Sequence, residues 1–327
     1  MNKLRVLSGM RPTGRLHLGH LLGALNNWKE FQTQYECFYM IADWHALTTA
    51  YADTSEFQEN IRQMLIDWLS CGIDRQKCVI FRQSQIPEHA ELHVLLSTIT
   101  PLPWLERCPT YKDQIKELAQ LDLHTYGFLG YPVLQAADIL IYKANIVPVG
   151  EDQLPHLELT REICRRFNYL YGAVFPEPES KLTQTPKLPG VDGRKMSKSF
   201  GNCIHLSDAD DQIVKKVKSM ITDPARIHPT DLGHPEVCVV FAFQQAFNKN
   251  GVETVKQECR EAKRGCVKCK GELAQILISC LKPIHEARKE LEQNPQEIIN
   301  ILNEGKEKAR EITSNVMHEV RQAMKIW

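Results

Sequence analysis

Apolar positions along the first hundred residues alternate between short continuous runs and longer periodic ones. Arg5-Val6-Leu7 reads as a short strand running into a glycine- and proline-punctuated turn, Ser8 to Gly14. Cys37-Phe38-Tyr39-Met40-Ile41-Ala42 is almost unbroken and closes at Asp43, the pattern of a strand covered on both faces of a parallel sheet. Phe57, Ile61, Met64, Leu65 and Trp68 then recur near the 3.6-residue helical period. Asp53 or Thr54 is placed to cap the start of that helix, and Gly72 its end. Cys78-Val79-Ile80-Phe81 is the next strand. This alternation predicts an α/β fold with helices over a parallel sheet. From about Pro101 the pattern turns helical and irregular, as for an insertion covering about 101–180, and Lys181 to Arg194 reads as a basic, proline-punctuated loop. Beyond Ser207 helices dominate. The clearest carries Ala309, Ile312, Val316, Val320, Ala323 and Met324 on one face, so the expected organisation is an α/β unit over 1–206 and a helical unit over 207–327.

Composition narrows the class. The chain has 327 residues, and 40 basic side chains balance 40 acidic ones. At roughly 150 residues per domain that length suggests about two domains. Zero net charge excludes a histone-like polycation but leaves room for a local basic patch. The start of the chain has no apolar signal core, and no apolar run approaches the ~18 residues that would span a bilayer. A cytoplasmic protein without a membrane partner is expected. Eleven cysteines, an odd number, argue against a disulfide framework in that compartment. Seven of them (Cys37, Cys71, Cys78, Cys108, Cys164, Cys203 and Cys280) are scattered and read as small buried side chains. The other four are clustered.

Two short motifs suggest chemistry. His17-Leu18-Gly19-His20 follows a strand and a turn and precedes the apolar positions Leu21, Leu22 and Leu25 of a helix. A helix N-terminus offers unpaired N–H groups and partial positive charge to phosphate. Gly19 permits close approach, and both imidazoles can donate. Lys195-Met196-Ser197-Lys198-Ser199 lies downstream of Pro189, Gly190 and Gly193. A fixed run of five residues arises by chance in a chain of this length on the order of once in ten thousand trials. Its two ammonium groups suit a triphosphate that must lose pyrophosphate, because mobile cations can follow charge onto the leaving group.

Together these segments resemble the paired signatures of class I aminoacyl-tRNA synthetases. Gly9 to Gly14 and Val147-Pro148-Val149-Gly150-Glu151-Asp152-Gln153 resemble the tryptophanyl branch, over about Leu4 to Gly201. The resemblance implies a Rossmann-like catalytic domain with an insertion, followed by an all-helical anticodon-binding domain. It also implies a two-step reaction: tryptophan carboxylate attacks the α-phosphate of ATP, and the 3′ end of tRNA for tryptophan then takes the aminoacyl group. The nucleophile is already an anion, so positioning and charge stabilisation should dominate. His17, His20, Lys195 and Lys198 are accordingly expected to act electrostatically. By the same resemblance Arg11, Pro12, Thr13, Gly19, His20, Lys112, Gly150, Glu151, Asp152, Leu188 and residues Lys195, Met196, Ser197, Lys198 and Ser199 would meet ATP, accompanied by Mg2+ held mainly through phosphate oxygens. A homodimer is implied. Rival readings are a tyrosyl-tRNA synthetase and a small-molecule nucleotidylyltransferase.

Asp138 stands out as a lone carboxylate in the apolar stretch Ala136-Ala137-Asp138-Ile139-Leu140. A helix cap or a solvent-facing position is one explanation. The other is an acceptor for the indole N–H, which can only donate. Tyr131, Gln135 and Gln153 would then hold the ammonium group of L-tryptophan, and His45 could reach the same pocket. Cys238, Cys259, Cys266 and Cys269 form a C-x20-C-x6-C-x2-C array, whose final pair favours metal ligation. Four thiolates suit zinc or a [4Fe–4S] cluster. Some bacterial members of the tryptophanyl branch have a similar array holding a [4Fe–4S] cluster, which favours the cluster here. Residues 259–270 carry five basic side chains against Glu261 alone, a patch suited to a tRNA backbone.

Overall fold

A computed structural model describes residues 3–108, 123–182 and 188–326. Five strands build one all-parallel sheet: β1 (Arg5–Met10), β2 (Glu36–Ile41), β3 (Cys78–Arg82), β4 (Ile146–Val149) and β5 (Glu179–Leu182). Their order is β3-β2-β1-β4-β5. Strand order therefore reverses between β1 and β4, and in such sheets the crevice beyond the carboxyl ends at that point receives ligands.

The predicted strands are all present, and β1 runs three residues further than Arg5-Val6-Leu7. Gly9 makes that extension possible, because a Cβ there would stand 2.8 Å from the Met40 carbonyl oxygen on β2. Two expectations need correction. Lys181 and Leu182, assigned to a loop, belong to β5, while 183–187 lie outside the described residues. The stretch 101–180, expected as an insertion, also supplies β4 and the start of β5, so it shares the sheet.

Helices cover both faces. After β1 come α1 (Leu18–His20), a π-helical stretch (Leu21–Leu25) and α2 (Asn26–Gln34). Next are α3 (Asp43–Ala50), α4 (Phe57–Ser70), α5 (Glu88–Ser97), α6 (Leu102–Glu106), α7 (Tyr126–Leu140) and α8 (Leu154–Tyr171). The start of α4 differs from expectation: Asp53 accepts from the amide and hydroxyl of Ser55, and the helix begins only at Phe57. Gly72 follows its end with φ +93°, as a C-terminal glycine should.

The C-terminal part is helical, with α9 (Asp210–Ser219), α10 (Val239–Phe247), α11 (Val252–Arg260), α12 (Cys266–Glu292) and α13 (Pro295–Met324). α12 packs on α4, and α13 lies along β3 and α5. Gly305 permits that contact, because a Cβ there would fall 1.7 Å from the Ile80 carbonyl oxygen. Ala309, Val316 and Val320 join the core on that side of the sheet, as their periodicity predicts. None of the eleven cysteines is in a disulfide. Six of the seven scattered ones are buried; Cys280 is exposed on α12, contrary to expectation.

Candidate active site

The chain leaves β1 at Met10 and turns through Arg11 to Gly14, where Gly14 takes φ +112°. Thr13 donates its amide to the Arg11 carbonyl at 2.8 Å. Pro12 is buried, while Arg11 and Thr13 face solvent. His17 then caps α1: its Nδ1 accepts from the Gly19 amide at 3.2 Å, and His20 Nδ1 accepts from the His17 amide at 3.2 Å. The rings lie 3.9 Å apart. Burial pushes the His17 imidazole down to about 4, helped by Lys198 and His205. Burial, His17 and Lys198 also hold His20 well below its usual range. Both rings are therefore neutral at physiological pH, and each offers one N–H. Immediately afterwards the Asn26 amide reaches back five residues to Leu21, a π-type irregularity that recurs near functional sites.

The two signature segments meet here. Leu18 donates its amide to Ile204 at 3.0 Å, and Leu206 donates to Leu16 at 3.0 Å. Lys198 Nζ donates to the Gly14 carbonyl at 2.8 Å, and burial drops its ammonium to about 8. Met196 is buried near Gly19, whereas Lys195 is exposed. Asn202, 2% exposed, organises this loop. Its Oδ1 accepts from the Ser197 amide at 2.9 Å, and its Nδ2 donates to Asp192 at 2.8 Å and to the Lys195 carbonyl at 3.1 Å. Gly190 leaves space for that amide, because a Cβ would come within 2.1 Å of Asn202 Nδ2. Leu188 is buried in the same apolar cluster as Met196. Ser199 is the middle residue of the short helical turn Lys198–Phe200.

Across the crevice, β4 ends at Val149, and Gly150 leads into the turn Glu151–Gln153. Glu151 and Asp152 are exposed. Gln153 Nε2 donates to Asp152 at 3.1 Å. Lys112 lies outside the described residues.

Tyr131, Gln135 and Asp138 occupy i, i+4 and i+7 of α7, hence one face. Asp138 is an interior helical residue, 2% exposed, so neither a cap nor a solvent-facing position explains it. Its Oδ1 faces His89 Nδ1 at 2.6 Å and its Oδ2 faces His45 Nε2 at 2.7 Å. Gln83 Nε2 donates to both oxygens, at 2.8 and 3.0 Å. Burial pushes this carboxyl up, but His45 and His89 outweigh it and hold the group at about 2. The buried Gln83 also accepts from the Trp44 amide at 3.1 Å, tying Asp138 to the start of α3. His89 Nε2 continues to the Tyr142 hydroxyl at 2.8 Å. Tyr131 meets His156 instead, at 2.9 Å. Gln83, His89, His156 and Asn202 were not singled out from the sequence. Only Gln83 carried a usable signal, a polar residue immediately past the carboxyl end of a buried strand.

The four clustered cysteines come from three elements. Cys238 precedes α10, Cys259 lies in the last turn of α11, and Cys266 and Cys269 occupy the first turn of α12. They line one small cavity with Arg226 and Arg264. Arg226 Nη1 reaches the sulfurs of Cys259 and Cys266 at 4.0 Å each, and Gln244 Nε2 that of Cys269 at 3.8 Å. Among the described residues, no three His, Cys, Asp or Glu side chains are gathered as a site for a metal ion. The basic residues nearby are largely partnered: Arg260 with Glu236, Lys263 with Glu261, and Arg264 with Glu258 and Glu272. The charge excess seen in 259–270 is thus offset by acids outside that window.

No helix among the described residues is long and apolar enough to cross a membrane. A family model for class I tRNA synthetases (W and Y) matches residues 1–282. A tryptophan–tRNA ligase of Thermotoga maritima is 53% identical over 326 residues, covering 99% of each chain. One from Aquifex aeolicus is 46% identical, covering 99% of this chain and 100% of its own. Among solved structures, the tryptophanyl-tRNA synthetase of Campylobacter jejuni complexed with ADP and tryptophan superposes with a TM-score of 0.90. It is 33% identical, over 98% of this chain and 100% of that one. With motifs, sheet order and relatives in agreement over nearly its whole length, the chain belongs to the tryptophan–tRNA ligases, within the class I aminoacyl-tRNA synthetases.

Proposed function

We propose that this chain joins tryptophan to ATP as tryptophanyl-adenylate, releases pyrophosphate, and transfers the aminoacyl group to the 3′ end of tRNA for tryptophan. The observation that carries this reading is the junction of the two signature segments at the crossover, where Lys198 reaches Gly14. ATP lies over Arg11, Pro12 and Thr13 and against Gly19 and His20. Its ribose meets Gly150, Glu151 and Asp152, and its adenine packs near Leu188. Lys112 and the segment Lys195 to Ser199 follow the phosphates, and Mg2+ accompanies the nucleotide through phosphate oxygens and water. His17 and His20, neutral and backbone-tethered, donate to phosphate without acting as bases. Stabilising charge on the leaving pyrophosphate is the main task, and preorganised cations do it best in a dry site.

Asp138 takes the indole N–H. Its four acceptor sites are engaged by Gln83, His89 and His45, and among these partners only His45 is partly exposed. The substrate therefore replaces His45 at Oδ2. Gln135 and Gln153, with Tyr131, surround the ammonium group. A site that demands a hydrogen bond rejects analogues lacking it by large factors. Pyrophosphate exchange run with tryptophan and with tyrosine tests the whole assignment: exchange should require tryptophan, and equal exchange with tyrosine would refute it. Asp138→Asn should remove tryptophan-dependent exchange while ATP binding persists.

Cys238, Cys259, Cys266 and Cys269 hold a [4Fe–4S] cluster that serves structure and anticodon contact. Zinc is the alternative. The four thiolates would hold the cluster, and Arg226 and Arg264, which line the same cavity, would offset its negative charge. Anaerobic purification with an iron–sulfide assay decides; colourless protein containing zinc would overturn the cluster. Two copies pair through the segment between the signatures, which sedimentation checks, and the enzyme works in the cytoplasm.

A further inference from the structure

His156, near the start of α8, is 1% exposed and has polar partners at both ring nitrogens. Nε2 lies 2.9 Å from the Tyr131 hydroxyl, and Nδ1 lies 3.6 Å from Cys108 Sγ. The two rings meet edge to face, with centroids 5.2 Å apart and planes at 71°. Burial lowers the imidazole to about 4, so the ring is neutral and carries one N–H. Burial also raises the Tyr131 hydroxyl, so the phenol keeps its proton.

Two proton arrangements satisfy these contacts. In one, Tyr131 O–H donates to Nε2, and Nδ1–H points at the Cys108 sulfur. In the other, Nε2–H donates to the phenol oxygen, and the Cys108 thiol donates to Nδ1. They differ in what the Tyr131 hydroxyl can present to a group other than His156. The first leaves the oxygen with lone pairs only. The second leaves it with an O–H that must point toward whatever approaches. An ammonium group brings three donors and no acceptor. Facing the second arrangement, it would meet a hydroxyl proton.

We propose that His156, by accepting the Tyr131 O–H, makes the phenol oxygen an obligatory acceptor for the α-ammonium of tryptophan. His156 is a positioning residue for amino-acid recognition, acting entirely through Tyr131. The proposal rests on the reading of Tyr131 as an ammonium contact. It adds what that reading leaves open, namely why the hydroxyl faces the substrate as an acceptor. In that arrangement the second nitrogen directs its N–H at the Cys108 sulfur.

The test compares L-tryptophan with indole-3-propionate, which keeps indole and carboxylate but lacks the ammonium. Calorimetric Kd values for both are measured on the full-length enzyme and on Tyr131→Phe, His156→Phe and His156→Gln. Tyr131→Phe should lower the preference for tryptophan about tenfold to a hundredfold, the loss expected for a hydrogen bond to a charged group. His156→Phe should lower it about tenfold, and the double variant should be no worse than Tyr131→Phe. His156→Gln restores the preference, because its amide oxygen can still accept from Tyr131. If Tyr131→Phe leaves the preference unchanged, the ammonium reading itself fails. If it lowers the preference and His156→Phe does not, that reading survives and the role of His156 is overturned. Should His156→Phe lose both ligands, 15N spectra of the histidine-labelled wild type settle the matter: an Nδ1–H tautomer in the tryptophan complex upholds the proposal, and an Nε2–H tautomer overturns it.

Discussion

Lys198 has an unusual position for an ammonium group, drawn inward to bond Gly14 while burial lowers it to about 8. An unfolded lysine titrates near 10.4. Between pH ~8 and ~10 the unfolded chain thus binds more protons than the folded one, so this group's contribution to stability rises with pH across that window. At pH 7 both states are charged, and the full burial cost is present. Lys198→Met should therefore raise the melting temperature at pH 7, with a gain that shrinks towards pH 10. The same residue should be repaid in binding. A triphosphate favours the charged form, so nucleotide binding near pH 8.5 should take up a proton, seen as a dependence of calorimetric enthalpy on buffer ionisation. Lys198→Met should abolish that dependence along with much of the ATP affinity. At this scale the sequence was readable for residues in distinctive strings, such as His17 to His20 and Lys195 to Ser199, and for Asp138 against its apolar background. Gln83, His89 and His156 were not, because an isolated glutamine or histidine looks the same whether it is buried beside a carboxylate or solvated.

Helices and strands show where periodicity suffices and where it does not. The first three strands and the last helix follow from apolar spacing, whereas β4 and β5, short and partly exposed, did not stand out from the stretch around them. The π-type stretch after α1 and the exact start of α4 do not follow from it either, since they depend on hydrogen bonds a few residues either way. Two backbone positions give sharp tests. Ala262 holds φ +56° just beyond α11, between Cys259 and Cys266. A left-handed non-glycine residue costs roughly 1–2 kcal/mol, so Ala262→Gly should stabilise the fold by about 1 kcal/mol in urea unfolding, less the entropy glycine adds to the unfolded chain. Gly305 is the opposite case. Its Cβ would collide with the backbone of β3, which no rotamer change relieves. Gly305→Ala should cost about 1–3 kcal/mol or more, despite the better helix propensity of alanine. A neutral outcome would mean that α13 is not seated on β3.

Across the whole molecule, α12 connects the cysteine cavity to the nucleotide signature. It begins at Cys266 and carries Arg288 near its far end, where the guanidinium pairs with Asp67 of α4. Both side chains are buried. The other Asp67 oxygen accepts from the Leu16 amide at 3.4 Å, one residue before His17. One turn back on α12, His285 Nε2 meets the Leu206 carbonyl at 2.9 Å, and Leu206 is itself bonded to Leu16. The helical part is thus fastened to the backbone on which the first signature rests, a link that no local pattern in the sequence could reveal because its partners are 221 residues apart. Removing Arg288 alone strands a buried carboxylate, so Arg288→Met should cost about 3–5 kcal/mol. Replacing both partners, as in Arg288→Met with Asp67→Leu, should recover most of that loss, because a buried ion pair is often no better than apolar packing of similar volume. Stability and function then separate. The double variant still lacks an acceptor for the Leu16 amide, so the turn carrying His17 is less firmly held. Its KM for ATP in pyrophosphate exchange should stay severalfold above that of the parent, with the KM for tryptophan little changed. A double variant that recovers both stability and the parent KM for ATP would show that Asp67 and Arg288 bind the two parts together without steadying the nucleotide site.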